Sequence, residues 1–273
     1  MASAAITSLY SALDLPNPIS SELKRLMSGL VKSGTKKPAK RTSVMPIKPF
    51  MVCFQDWPNT EDLSIKQLRL KSVTLLALVL MTRPSDLAPR SKTFDSKTGL
   101  LDSILLTRNN VIFHSDKSMS ITLFGIKNDT NRSGFKIRIP KSDSVKCCPV
   151  DTLRIYLEKT SDLKVEGNPV FLTLTRPYRP IKSDTIAKIL TDSINTVGLA
   201  GQGFTAKCFR PTAANAAVKM ACNPDTAMHI GRWKSRDVFY DHYVHPMAPK
   251  AYTNQILQFE GLDYDNIEHE DNV

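Results

Sequence analysis

The spacing of apolar residues predicts a mainly α-helical α+β fold that contains one small three-stranded antiparallel sheet. Apolar positions recur at helical intervals from Ile47 to Trp57 and from Ser64 to Thr82. The period then shortens to that of strands over Asn110–His114, Met119–Leu123 and Phe135–Ile139. From Pro149 onward the pattern is helical again.

In chain order, residues 1–31 read as two short helices broken at Pro16-Asn17-Pro18, with Ser20 or Ser21 as the cap of a Leu23, Leu26, Leu30 stripe. They are too few to bury a core alone. The stretch Lys32 to Arg41 has the composition of a linker that cannot pack. Its Lys36, Lys37, Lys40 and Arg41 are candidates for lying along a phosphate backbone; a solvated linker and a nuclear-import signal are the other readings. The helix predicted from Ser64 stops at Arg83-Pro84, because proline biases the preceding residue away from helical dihedrals. That leaves Arg83 at a helix end, where a side chain can face a ligand.

Between the second and third strands, Asn128-Asp-Thr-Asn-Arg-Ser-Gly134 has turn chemistry, and it places Lys127 at the end of the middle strand. Helices are then expected near 150–159, 182–197, 211–221, 224–230, 235–245 and 249–260. Residues 1–42 read as an appendage and linker, 43–262 as one folded domain, and 263–273 as an acidic tail without stable structure. No internal repeat is visible.

The apolar fraction of 41% in 273 residues suits an ordinary globular core. The longest apolar run, Leu75 to Met81, is far shorter than the roughly 20 residues of a membrane-spanning helix, and Met1 to Ser20 lacks the features of a secretory signal. A soluble, intracellular protein is expected. The five cysteines, Cys53, Cys147, Cys148, Cys208 and Cys222, form no C-x-x-C pair and lie near no histidine at zinc-ligand spacing, so reduced thiols and no metal are expected. A net charge of +11 calls for a polyanionic partner, because basic side chains gain affinity by displacing counterions from phosphates.

What the chain offers a reaction at a DNA phosphate is isolated arginines at element ends, a lysine at a strand end and tyrosines near the C-terminus. With Thr82-Arg-Pro-Ser-Asp-Leu87, then Phe124-Gly-Ile-Lys-Asn128, then Lys207-Cys-Phe-Arg210 and then Tyr243 in this order, the chain resembles the tyrosine recombinases of the phage-integrase type, over roughly residues 43–262. Thr82-Arg-Pro-Ser-Asp-Leu87 looks like the family's Arg-x-Ser-Glu-Leu element, which implies Arg83 as a first phosphate clamp and Asp86 as its buried support. Lys127 in Phe124-Gly-Ile-Lys-Asn128 stands where the family has a lysine that protonates the leaving 5′ oxygen, with Lys136 and Lys141 as fallbacks. Thr205-Ala-Lys-Cys-Phe-Arg-Pro-Thr-Ala-Ala214 resembles the His-x-x-Arg element and implies Arg210 as the second clamp. Here Lys207 replaces the histidine; it can donate hydrogen bonds, but it shuttles no proton near neutral pH unless its pKa is lowered.

His229 to His245 looks like the segment that leads into the nucleophile helix, with Arg232 or Trp233 at the position of the second histidine. Tyr243, 33 residues beyond Arg210 (243 − 210), is the implied nucleophile. Tyr240, one turn earlier on a similar face, is the alternative and is otherwise expected to serve packing. Tyr243 is favoured because His-Tyr-Val-His resembles the nucleophile context.

The resemblance implies a DNA strand transferase that cuts and rejoins double-stranded DNA through a 3′-phosphotyrosine, without cofactor or metal. It also implies self-association on DNA as a tetrameric synapse from a monomer in solution. The wording of the four elements is most similar to recombinases of the DIRS, Ngaro and Crypton mobile elements, which implies DNA integration or excision in a nucleus. Residues 1–42 then look like the remnant of a core-binding domain. Two rivals stand beside this reading: a catalytically inactive or domesticated DNA-binding protein of the same descent, and a helical protein-interaction scaffold with no salt-dependent DNA affinity.

Overall fold

The computed structural model describes residue 10 and residues 12–14, 43–88, 106–124, 133–220 and 222–243; of 241–243 only the backbone is described. The chain divides into two compact units, residues 1–40 and 41–273, and the described part of the first is Tyr10 and residues 12–14. The expected first helices, the basic residues Lys36, Lys37, Lys40 and Arg41, Lys127, His245, the helix at 249–260 and the acidic tail all lie outside the described residues.

Eight helices and three strands are described in the second unit: α1 (Lys48–Asp56), α2 (Ile65–Val79), α3 (Pro84–Leu87), β1 (Val111–Phe113), β2 (Met119–Leu123), β3 (Phe135–Ile139), α4 (Pro149–Lys159), α5 (Ser183–Thr196), α6 (Phe209–Lys219), α7 (Pro224–Gly231) and α8 (Arg236–Tyr243). The fold class is that expected from the sequence, mainly helical with a three-stranded antiparallel sheet in the order β1-β2-β3. Among the described residues no helix is long and apolar enough to cross a membrane.

Helix α2 is the centre of the unit. Ser64 caps it reciprocally with Gln67: the Gln67 N–H donates to Ser64 Oγ at 3.3 Å, and the Ser64 N–H donates to Gln67 Oε1 at 3.1 Å. From Lys71 to Leu78 every residue is buried, because α4, α5 and α6 all pack against this helix. A helix that is apolar on all sides is one enclosed by its neighbours.

The helix ends three residues before the predicted boundary, at Val79. The Thr82 N–H donates to Ala77 O and the Met81 N–H to Leu78 O, which closes the last turn as a Schellman motif with Met81 in the left-handed region (φ 49°). A methionine in that conformation is strained, and it turns the chain sharply so that Thr82 and Arg83 run extended into the short α3.

The sheet buries one face. Met119, Ile121 and Leu123 of β2 stand opposite Ile139, Ile137 and Phe135 of β3, and all but Phe135 are buried, whereas Lys136 and Arg138 on the other face are exposed. Arg108 ties the start of the sheet to the end of α4 by donating to the carbonyls of Leu157 and Thr160 at 3.0 Å each. Tyr156, fully buried in α4, accepts the Leu172 N–H on its hydroxyl at 3.3 Å. His114, expected to be structural, shares a 2.8 Å hydrogen bond with the Ser120 hydroxyl.

Candidate nucleic-acid interface

The elements that follow α2 and precede α6 are far apart in sequence, and they meet at one open cleft of ≈ 670 Å³. Arg83 comes from the corner after α2, Lys207 from the 3-10 turn Ala206–Cys208, and Arg210 from the first turn of α6. The fourth wall is one side of α5, through Ser183, Asp184, Ala187 and Thr191. Three cations and one carboxylate, Asp184, therefore line this space, a balance that favours an anion.

The three cations differ in state. The Arg83 guanidinium and the exposed Lys207 ammonium make no hydrogen bond or ion pair with any described residue. Arg210 is 5% exposed: it donates through Nη1 to Met81 O at 2.6 Å and through Nη2 to Gly231 O, and its Cζ lies 4.1 Å from the centre of the Trp233 ring. α6 begins at Phe209, two residues earlier than expected, and Pro211 is tolerated there because first-turn N–H groups have no intrahelical partner.

Arg232 and Trp233 follow α7 and do not line the cleft. Arg232 takes the left-handed conformation (φ 62°), and its N–H donates to His229 O while the Trp233 N–H donates to Met228 O. Gly231 serves a different need: a Cβ there would lie 1.7 Å from Trp233 Cζ3, so glycine is the residue that lets the indole fold back over the helix end. Trp233 is then held between Arg210 and Phe239, whose ring centre is 4.9 Å away.

The Arg232 side chain turns inward instead. Its Nη2 donates to Asp86 Oδ2 at 2.9 Å, with the two side chains 6% and 3% exposed, and burial holds its pKa below the usual arginine value despite the Asp86 charge. The same Asp86 Oδ2 accepts the Arg83 N–H at 2.9 Å. The carboxylate expected to support Arg83 thus holds its backbone, and its ionic partner is Arg232.

Helix α8 packs on α6 and carries both tyrosines. Phe239 is fully buried, and Tyr240 beside it, 40% exposed, packs its ring edge-to-face on Phe239 with the centres 5.3 Å apart. Tyr243 is the last described residue, and its side chain is outside the description. Of the fallback lysines, Lys136 is exposed on β3, and Lys141 pairs with Asp151 at 2.9 Å beside a separate hollow; neither lines the cleft. Among the described residues no group of three His, Cys, Asp or Glu side chains could hold a metal.

Sequence reading missed the α5 wall and the partner of Arg232. The α5 residues carry no motif and lie about a hundred positions from Arg83, so only packing reveals them. The Asp86–Arg232 pair likewise spans 146 positions.

Comparison with solved structures places the fold. The fold is similar to that of the XerH site-specific recombinase bound to palindromic difH substrate, with a TM-score of 0.55 over 83% of this chain at 12% identity. It is similar to the XerA recombinase at a TM-score of 0.54 over 94% of this chain and 15% identity, and to XerH in its pre-cleavage complex at 0.54 over 94% and 12% identity. The fold is that of a tyrosine recombinase catalytic domain. This chain spans 54% of the first XerH chain, 73% of XerA and 70% of the second XerH chain. No family model and no curated protein matches it.

Proposed function

We propose that the chain is a site-specific DNA recombinase that cleaves and rejoins double-stranded DNA through a covalent 3′-phosphotyrosine at Tyr243. The observation that carries this reading is the convergence of Arg83, Lys207 and Arg210 on one cleft, two of them without any described partner.

Phosphodiester exchange passes through a five-coordinate phosphorus with extra charge on its non-bridging oxygens. A planar guanidinium meets two such oxygens with paired, charge-assisted hydrogen bonds. Each arginine then lowers the barrier by about 3 kcal/mol, the scale on which one oxyanion donor acts. The Tyr243 phenol, of reference pKa about 10, attacks phosphorus as its proton leaves, and Lys207, His242 and Arg232 are the candidates to ease that loss. The P–O bond to the 5′ oxygen breaks, and Lys127 protonates that oxygen. The ester conserves the bond energy, so a 5′ hydroxyl of another strand reverses the step. Arg83, Lys127, Lys207, Arg210 and Tyr243 are the residues of this reaction, with Arg232 and Trp233 behind them.

In the same reading the chain acts within an assembly on DNA, serves integration or excision of a mobile element of the DIRS, Ngaro or Crypton kind, and works in a nucleus. Residues 43–262 are its catalytic domain, and 1–42 lead into it, with Lys36, Lys37, Lys40 and Arg41 on the DNA backbone.

A second reading, DNA binding without strand transfer, is favoured by Arg210, whose guanidinium already donates to two backbone carbonyls. A covalent trap separates the two. The protein is incubated with a library of nicked duplexes whose cleavage releases a short fragment, then denatured and searched for a DNA-linked band. A band lost in Tyr243→Phe and kept in Tyr240→Phe is the expected result. Salt-sensitive binding with no band under any substrate favours the second reading, and a band lost only in Tyr240→Phe moves the nucleophile.

A further inference from the structure

Arg83 has a carboxylate at hand that its guanidinium does not use. Asp86 lies three residues on, at the third position of α3, and its Oδ2 already accepts the Arg83 backbone N–H at 2.9 Å. Because the Asp86 carboxylate already reaches back to the Arg83 backbone, the long Arg83 side chain can fold onto it as well. If it did, the guanidinium would be neutralised and turned away from the cleft it lines.

Arg232 occupies that carboxylate instead. Its Nη2 reaches the same Oδ2 at 2.9 Å across 146 positions, and both side chains are withdrawn from solvent. Two further bonds aim it there, from Nη1 to Ile230 O at 3.2 Å and to Leu80 O at 3.4 Å, and the Phe135 ring lies 5.8 Å from its Cζ. No other described side chain pairs with Asp86. We propose that Arg232 is a positioning residue that keeps the Arg83 guanidinium free for a phosphate by holding Asp86 as its own partner.

The inference rests on the reading that Arg83 meets a phosphate, and it goes beyond that reading by removing Arg232 from the phosphate altogether. A buried carboxylate stripped of its partner attracts whichever cation can reach it. In the absence of Arg232 that cation is Arg83. Loss of Arg232 therefore disables Arg83 only while Asp86 is charged, and neutralising Asp86 at the same time gives Arg83 back. A direct phosphate ligand would show no such recovery.

The test compares wild type, R232K, R232Q and R232Q/D86N. Glutamine still donates to Asp86 Oδ2 but leaves it uncompensated, and the asparagine of the double variant still accepts the Arg83 N–H. R232M is measured beside R232Q in case one of them fails to fold, with circular dichroism as the check. The first readout is modification of Arg83 by phenylglyoxal, quantified on its peptide by mass spectrometry. Arg83 is expected to react in wild type and R232K, to be protected several-fold in R232Q and R232M, and to react again in R232Q/D86N. Equal reactivity in all folded variants, or protection that persists in the double variant, overturns the proposal. The second readout is the salt dependence of binding to a duplex of arbitrary sequence, whose log–log slope should fall by about one in R232Q and recover in R232Q/D86N. A flat slope for wild type would sink the DNA reading alone, since the phenylglyoxal pattern decides the positioning role without DNA.

Discussion

Gly231→Ala puts the sharpest strain on the site from outside it. The added methyl would sit 1.7 Å from Trp233 Cζ3 and 2.3 Å from Cε3, whereas ordinary contact begins at 3.4 Å. The indole must therefore retreat by about 1.7 Å (3.4 − 1.7) into a packed core. It has no room to do so: Arg210 lies 4.1 Å from its centre on one side, and Phe239, fully buried, lies 4.9 Å away on another. Overpacking of this kind costs about 1–3 kcal/mol, and losing the guanidinium and aromatic contacts adds about 1–3 kcal/mol. The better helix propensity of alanine returns about 1 kcal/mol. The expected net destabilisation is about 3 kcal/mol, which lowers the midpoint of thermal unfolding by about 6–12 °C in a chain of this size. Thermal melts of Gly231→Ala, Trp233→Leu and the double variant measure it. The smaller leucine relieves the clash, so the double variant should melt with Trp233→Leu alone. A Gly231→Ala midpoint within about 2 °C of wild type would refute the packing argument.

Three further outcomes are expected. Lys71, fully buried with one hydrogen bond to Thr60 Oγ1 at 3.2 Å, has its pKa lowered by burial. Because its folded pKa lies below the unfolded value, the cost is fully present at low pH and fades as pH rises toward about 10.4; Lys71→Met should therefore raise stability by about 1–2 kcal/mol at pH 7, with the gain over wild type shrinking between pH 7 and 10.5 in urea titrations. Ser64→Ala removes the reciprocal cap of α2 and should cost about 1 kcal/mol by the same titration. Arg83→Gln and Lys207→Gln should each reduce the slope of log affinity for duplex DNA against log salt by about one, and an unchanged slope in both would remove the cleft from the DNA interface.

Much of the fold was legible in the chain because its local signals agree with one another. Lys48–Asp56, Ser183–Thr196 and Pro224–Gly231 fall within one or two residues of where apolar spacing put them, and all three strands lie where alternation put them. Where the prediction slipped, at the end of α2, the cause was a competing closure: proline at 84 does forbid a helical Arg83, but the Schellman turn at Met81 stopped the helix first. The motifs singled out Arg83, Lys207 and Arg210, and all three line one cleft. They did not distinguish a guanidinium without a described partner from one engaged with backbone carbonyls, since both are written as the same letter.

What the sequence alone determined is the set of helices and strands, the basic charge and the identity of the cleft cations. Those properties follow from each residue's own chemistry and from neighbours within a turn or two. Tertiary structure decided the rest: that α5 closes the cleft, that Gly231 makes room for an indole while Arg232 takes the left-handed turn, and that Asp86 takes Arg232, not the Arg83 guanidinium, as its ionic partner among the described residues. Each of these is settled between groups far apart in the chain. Their energies arise only when water is excluded between surfaces that no local pattern brings together.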